Sequence, residues 1–212
     1  MLMSRFSRLL QPFLNCSLCQ SDRVTQASVC QDCWQQLPWL KQTIHRQEIP
    51  IQVAAYYRYP LDRMIQQFKY EQQLHYLPLF GHILNQLKFP KVQAIVPMPI
   101  SQQRLIERGY NQALLLAEHL AKQLNVPIWQ PILRQEQQHQ KGLNRLERLS
   151  NIEQQFVLHA PSKVRYRRIL IVDDVVTTGS SIQALSLKLQ QLGCQQIHVA
   201  CLATPSYIDN II

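Results

Sequence analysis

The chain has 212 residues, 46% of them apolar, enough for one sizeable α/β core with a small attachment. With only 5 glycines it is neither collagen-like nor a glycine-rich linker, and it holds no apolar run of about 18 residues that would span a membrane. Lysine and arginine number 22 against 13 acidic residues, a net charge of +9 that suits polyanionic partners such as nucleic acid or phosphorylated metabolites, and equally suits a basic chain kept in solution by self-repulsion.

The first segment, "MLMSRFSRLLQPF", has basic residues but neither a continuous apolar stretch nor a small-residue cleavage site, so no secretory leader is expected and the cytoplasm is the expected location. Residues 1–48 then hold four of the six cysteines. Cys16, Cys19, Cys30 and Cys33 form C-x2-C-x10-C-x2-C, in which each knuckle presents two thiolates on one tight turn. Two such knuckles close a tetrahedron around Zn²⁺ and leave no position open, so the expected metal is structural. His45 is a spare ligand or a surface histidine. Trp34 and Trp39 read as packing for the metal-held module, and Cys194 and Cys201 as small buried apolar residues.

Residues 49–212 read as a second unit. "IQVAAYYRY" is an expected strand, and "LDRMIQQFKY" and "LPLFGHILNQLKF" are expected helices. "VQAIVPMPI" opens an alternation of short apolar runs with helical patterns. "GYNQALLLAEHLAKQLN" is an expected helix, and "VPIWQPIL" and "QQFVLH" are expected strands. "RRILIVDD" and "QIHVACLA" read as buried strands, with a helix between them closed by Gly193. Continuous apolar strands joined by helices mean a parallel sheet covered on both faces, a doubly wound α/β fold.

The stretch "ILIVDDVVTTGSS" concentrates the chemistry. A buried strand delivers Asp173 and Asp174 to the carboxyl edge of the sheet, where ligands collect in parallel sheets. The turn that follows, Val175, Val176, Thr177, Thr178, Gly179, Ser180 and Ser181, offers backbone N–H groups, hydroxyls and a helix N-terminus to a phosphate. Two carboxylates beside an anion seat repel a bare phosphate. A ribose 5-phosphate removes the conflict, with its diol on the carboxylates and its phosphate in the turn. The alternative is that Asp174 caps the helix and the hydroxyls merely fill turn positions. No G-x-x-x-x-G-K-[ST] and no G-x-G-x-x-G occurs.

That stretch resembles the phosphoribosyl pyrophosphate (PRPP) signature of type I phosphoribosyltransferases, with Ser181 where threonine is usual. Together with the cysteine knuckles, "IVPMPISQQRLIERGYNQALLLAEHLA" and "QKGLNRLERLSN" in this order, the chain from Cys16 to about Thr204 resembles the ComF family of competence proteins. By resemblance, Asp173 and Asp174 hold the ribose diol, Val175 to Ser181 wrap the 5-phosphate, and Mg²⁺ accompanies PRPP. The resemblance also implies a place in natural transformation and DNA uptake, with single-stranded DNA and other DNA-uptake or recombination proteins as partners.

The flanking motifs carry open readings. Pro97, Met98 and Pro99 rigidify the loop where the resemblance puts pyrophosphate, or they form an ordinary strand-to-helix connection. Arg104 and Arg108 share one side of a helix, and Tyr110, Asn111 and Gln112 add a ring and amides suited to a phosphate or a base. Otherwise this is a solvated helix end stopped by Gly109. Lys69 is a further candidate contact for phosphate or nucleic acid. Arg145 and Arg148, then "KVRYRR" with Tyr166, offer charge and a ring to single-stranded nucleic acid, or are a solvated basic face. Two functions of different class therefore stand: a DNA-handling protein that binds PRPP, and an active phosphoribosyltransferase acting on an unidentified acceptor.

Overall fold

The computed structural model describes residues 15–24, 27–136, 155–159 and 165–206. Its main sheet has five strands, β1 (Trp39–Arg46), β2 (Ile49–Tyr56), β3 (Ala94–Pro97), β6 (Arg168–Val175) and β7 (Gln196–Thr204), in the order β1-β2-β7-β6-β3. The pairs β2–β7, β7–β6 and β6–β3 are parallel, and β1 pairs antiparallel with β2. The sheet is therefore parallel-dominant and mixed. The antiparallel edge is a departure from the all-parallel expectation, and β1 lies where no strand is apparent in the sequence. Its residues alternate only weakly between half-buried and exposed, because an edge strand has little to bury. The sheet thus takes in residues on both sides of the expected boundary at 48.

Alternation along β6 explains the layering. Ile169 and Ile171 are fully buried on one face, while Leu170 and Val172 are buried on the other. The first face is covered by α6 (Ser180–Gln191) through Ile182, Leu185 and Leu189. The second is covered by α2 (Leu61–Tyr70), α3 (Leu77–Leu84) and α5 (Gln112–Leu124). There Phe68 and Phe80 meet edge to face at 5.2 Å, both fully buried. Burying each such ring contributes roughly 2–3 kcal/mol. Two sheet faces, each with its own helical layer, give the doubly wound architecture that the apolar strands predict.

The shorter elements sit around this frame. Helix α1 (Gln31–Gln35) starts within the second cysteine knuckle, with Cys30 as its N-cap and Cys33 in its first turn, and α4 (Gln102–Arg108) follows β3. The expected strands at "VPIWQPIL" and "QQFVLH" contract to β4 (Ile132–Arg134) and β5 (Phe156–Leu158), an antiparallel pair of their own. Gly193, at φ +95°, ends the α6 segment as expected. Among the described residues no helix is long and apolar enough to cross a membrane.

Candidate functional site

The carboxyl ends of β3 and β6 lie side by side, with Pro97 opposite Val172, and the loops leaving them wall a cavity of about 420 Å³. That size suits a ligand of several functional groups. β6 brings Asp173 and Asp174 into its wall, as expected. Each carboxylate is fixed by the next residue: Asp174 N–H donates to Asp173 Oδ1 at 2.9 Å, and Val175 N–H to Asp174 Oδ1 at 2.7 Å.

Successive strand residues face opposite sides, so the two carboxylates have different neighbours. Asp174 points toward the layer of α2, where Lys69 Nζ reaches its Oδ2 at 2.7 Å. The Asp174 side chain is 8% exposed and that of Lys69 18%, so this ion pair is largely withdrawn from water. Asp173 interacts with Arg134, on the opposite side. Burial pushes the Asp173 carboxyl well above the usual carboxylate range; the neighbouring Asp174 charge adds to the rise, and Lys69 opposes it.

The turn after β6 is built as a seat. Val176 is tied back to the sheet by Val176 N–H to Ala203 O at 3.0 Å, and Thr204 Oγ1 donates to Val176 O at 3.0 Å. The chain then leaves the sheet through exposed Thr177 and Thr178. Ser180 N–H donates to Thr178 Oγ1 at 3.4 Å, and Gly179 caps α6 in the left-handed region at φ +80°. A Cβ on Gly179 would lie 2.6 Å from Arg46 Cβ, so only glycine fits both the dihedral and the space. Arg46, from the end of β1, donates through Nε to Thr177 O at 2.9 Å and brings a positive charge to the turn. Ser181 reaches the cavity wall itself.

The proline loop and the segment Arg108–Gln112 support this site in two ways. Met98 and Pro99 line the cavity, while Met98 N–H donates to Val172 O at 2.9 Å and registers the loop against β6. Asn111 caps α5 by accepting from Ala113 N–H at 3.0 Å, and its Nδ2 donates to Met98 O at 3.1 Å. Tyr110 donates its hydroxyl to Phe68 O, one residue before Lys69, and its ring packs against Phe68 at 5.6 Å. Tyr110 and Asn111 therefore stand behind the wall and hold it, rather than presenting a ring and amide to a ligand. Gln112, only 5% exposed, does line the cavity, and its Oε1 has no partner. Arg104 and Arg108 also line it, with the Arg108 guanidinium 5.2 Å from the Tyr70 ring. Gly109, at φ +82°, ends α4 as the stop signal that the sequence suggests.

Five lining residues escape the sequence reading, Tyr70, Gln72 and Ile100 and the charged pair Glu107 and Arg134. Both look like ordinary members of charged stretches, and only the fold brings them to Asp173. With Lys69, Arg104 and Arg108, Arg134 makes four cations against three acidic side chains, so the wall favours an anion. Arg145 and Arg148 lie outside the described residues. Arg165, Arg167 and Arg168 are exposed, whereas the Tyr166 ring packs edge-on against Trp129 at 5.3 Å.

The four cysteines do come together. All four Sγ atoms lie within 4.8 Å of one another, and Cys19 Sγ and Cys30 Sγ are 3.8 Å apart. Four thiolates at about 2.3 Å from one zinc would stand about 3.8 Å from each other, so the donor set fits the ion. Backbone N–H groups of Leu18 and Cys33 point at Cys16 Sγ and Cys30 Sγ, each at 3.4 Å. Burial raises the Cys16 thiol, but the backbone N–H groups around it outweigh this and bring it down to about 6. Burial and the neighbouring thiols push Cys33 up, because four thiolates this close repel one another until a cation joins them. Trp39 Nε1 donates to Trp34 O, and the two rings meet at 4.9 Å, the packing role expected for them. Cys194 and Cys201 are buried in the core.

Comparison with known proteins agrees with this layout. The family model "Phosphoribosyl transferase domain" matches residues 110–207, which include β6 and its turn. Competence protein F of Haemophilus influenzae is 32% identical over 95% of this chain and 90% of its own length. The chain belongs to the competence protein F family. "DNA utilization protein YhgH" of Escherichia coli K12 is 30% identical over 70% of this chain and 69% of its own. "Competence protein ComFC" of Streptococcus pneumoniae is 25% identical over 86% of this chain and 77% of its own. Within this family member, the stretch matched by the domain model begins at Tyr110, so the cysteine cluster and β1 lie before it.

Proposed function

We propose that the chain binds PRPP in the cavity at the end of β6 and acts in the uptake or use of DNA, as the names of its relatives suggest for them. The observation that carries the ligand is the pairing of two adjacent carboxylates with a cation-lined cavity and a glycine-capped, hydroxyl-bearing turn. In this reading Asp173 and Asp174 accept hydrogen bonds from the ribose diol, and Lys69 gives up part of its hold on Asp174 as they do. The turn from Val175 to Ser181 donates to the 5-phosphate, with the Arg46 charge beside it. The pyrophosphate lies along Pro97–Pro99 toward Arg108, and Mg²⁺ would shield its charge there.

Cys16, Cys19, Cys30 and Cys33 hold a zinc module ahead of β1, and the chain from β1 onward forms the ligand-binding domain. Four cysteines given to a metal and two buried as thiols suit a reducing compartment, in keeping with a cytoplasmic place. Single-stranded DNA binds the exposed basic groups around Arg165–Arg168, with Arg145 and Arg148, through its phosphates. Because Tyr166 is engaged with Trp129, base stacking on that ring is not part of the reading.

Transfer of the ribosyl group to an acceptor, with pyrophosphate as the leaving group, is the second reading, and the intact turn favours it. The test is a pair of titrations on the zinc-loaded chain. Mg²⁺–PRPP should raise the melting temperature with saturation, and single-stranded DNA should bind with an affinity that falls steeply with salt. Unchanged melting with PRPP would remove the ligand, and salt-independent DNA binding would remove the phosphate-tracking surface.

A further inference from the structure

Beyond the ribose clamp, a second cavity of about 200 Å³ opens on the Asp173 side and shares Arg104, Glu107 and Arg134 with the first. Its construction is specific. Arg134 ends β4 and is held against Ser101 by a backbone bridge. Its Nε and Nη2 donate to Gln155 Oε1 at 3.3 and 3.2 Å, and the Phe156 ring lies 5.4 Å below the guanidinium. Gln155 is only 5% exposed, lines this cavity, and has no partner for its Nε2. A buried amide donor without an acceptor is costly unless something supplies one. Burial pulls the Arg134 guanidinium below its usual value, and the neighbouring Arg104 charge adds to this, with only Asp173 opposing. Two cations pressed together beside an unused donor are the complement of an oxyanion. The rim also carries two carboxylates, turned to Gln103: Glu107 Oε1 accepts from Gln103 Nε2 at 2.8 Å and Glu136 Oε1 from Gln103 N–H at 3.0 Å, so the anion seat is the corner at Arg104, Arg134 and Gln155 rather than the whole cavity.

We propose that this cavity is a second anion subsite, which holds the carboxylate or phosphate of a small molecule between Arg104, Arg134 and the Gln155 amide, beside the ribosyl ligand. The anion seat rests on these residues alone; its role as a neighbour to the ribosyl ligand rests on the PRPP reading. The second molecule is therefore acidic, and in the transferase reading it is the acceptor. Neutral acceptors would leave both guanidinium groups and the Gln155 donor unanswered.

The experiment is calorimetric titration of inorganic phosphate, and separately of malonate, into the full zinc-loaded chain, with and without saturating Mg²⁺–PRPP. Variants are Arg134→Gln, Gln155→Glu and Asp174→Asn, each checked for a native melting transition. With Mg²⁺–PRPP filling the first cavity, one anion per chain should still bind the wild type, and phosphate against malonate identifies which oxyanion the seat prefers. Arg134→Gln and Gln155→Glu should each weaken that anion by about tenfold or more, while PRPP affinity in Gln155→Glu, a residue outside the first cavity's lining, stays within about threefold of wild type. Asp174→Asn should abolish PRPP binding and spare the anion. Failure of both anions to bind the wild type, or equal binding in the Arg134 and Gln155 variants, would overturn the subsite. Displacement of the anion by PRPP, one for one, would also overturn it, because the cavity would then be one end of a single site. Absence of PRPP binding with an Arg134-dependent anion retained would instead sink the PRPP reading and leave the anion seat standing.

Discussion

The cysteine cluster and the cavity at the end of β6 both gather ionisable groups from a short stretch of chain, and they differ in what completes them. The four thiols face one another within 4.8 Å, with backbone N–H groups already pointing at two of the sulfurs. One ion satisfies that set and leaves nothing to bind a substrate. Around Asp173 and Asp174 the groups face outward into a cavity, balanced in part by Lys69, with Gln112 Oε1 unanswered. A closed constellation holds structure, and an open one waits for a ligand.

Removing the metal should break the first region most severely. Structural zinc contributes on the order of 10 kcal/mol in isolated finger peptides, and less is expected here because Cys16, Val29, Cys30 and Leu37 also pack into the core. Chelation should release one zinc per chain and erase amide exchange protection across residues 16–37. Unchanged protection in metal-free protein would contradict a zinc-held module.

On the open side, the largest effect is expected at the turn. Gly179→Ala imposes about 1–2 kcal/mol of left-handed strain and drives a Cβ against Arg46, so PRPP affinity should fall by about 10- to 100-fold by calorimetry. The double variant Arg46→Gly/Gly179→Ala relieves the contact but not the dihedral and should recover only part of this. Full recovery would mean that the dihedral costs nothing.

Lys69→Met leaves the Asp174 carboxylate without its cation and should lower stability by about 1–3 kcal/mol, read as a drop in melting temperature. Adding Asp174→Asn should restore most of that loss. Additive losses would show that the pair is not coupled.

A smaller, graded effect follows from Asp173. Its carboxyl is raised in the fold, so folding favours the protonated form. That contribution is complete below the unfolded value near pH 4 and is lost as pH rises through the folded value of about 8. Wild-type stability should therefore decline over this window relative to Asp173→Asn. PRPP affinity should rise over it, because the diol needs an ionised acceptor. A flat affinity profile would remove Asp173 from the clamp. The smallest change is expected from Arg145→Ala with Arg148→Ala, which should weaken all single-stranded DNA sequences by a similar few-fold factor. A loss confined to one sequence would mean base readout.

Both regions were legible in the sequence to the extent that their residues are neighbours along the chain. Two C-x2-C knuckles announce a tetrahedral site, and an apolar run ending in two aspartates announces a strand delivering charge to the sheet edge. The rest depends on distant pairings. Arg46 meets Thr177 across 131 positions, and nothing local in "TIHRQE" marks it. Arg134 and Glu107 sit in ordinary charged stretches, and only the β4–β5 pair and α4 turn them toward Asp173. Tyr110 and Asn111 were legible as special, but their partners, Phe68 O and Met98 O, make them supports for the wall. Strand β1 was hidden because an edge strand buries too little to impose a clear alternation.

The most direct measurement is calorimetric titration of PRPP with Mg²⁺ into the zinc-loaded protein and into Asp174→Asn. One PRPP per chain, lost on that substitution in a protein that still melts cooperatively, is the predicted result. No binding to the folded wild type, or equal binding to both proteins, would contradict the ribose clamp.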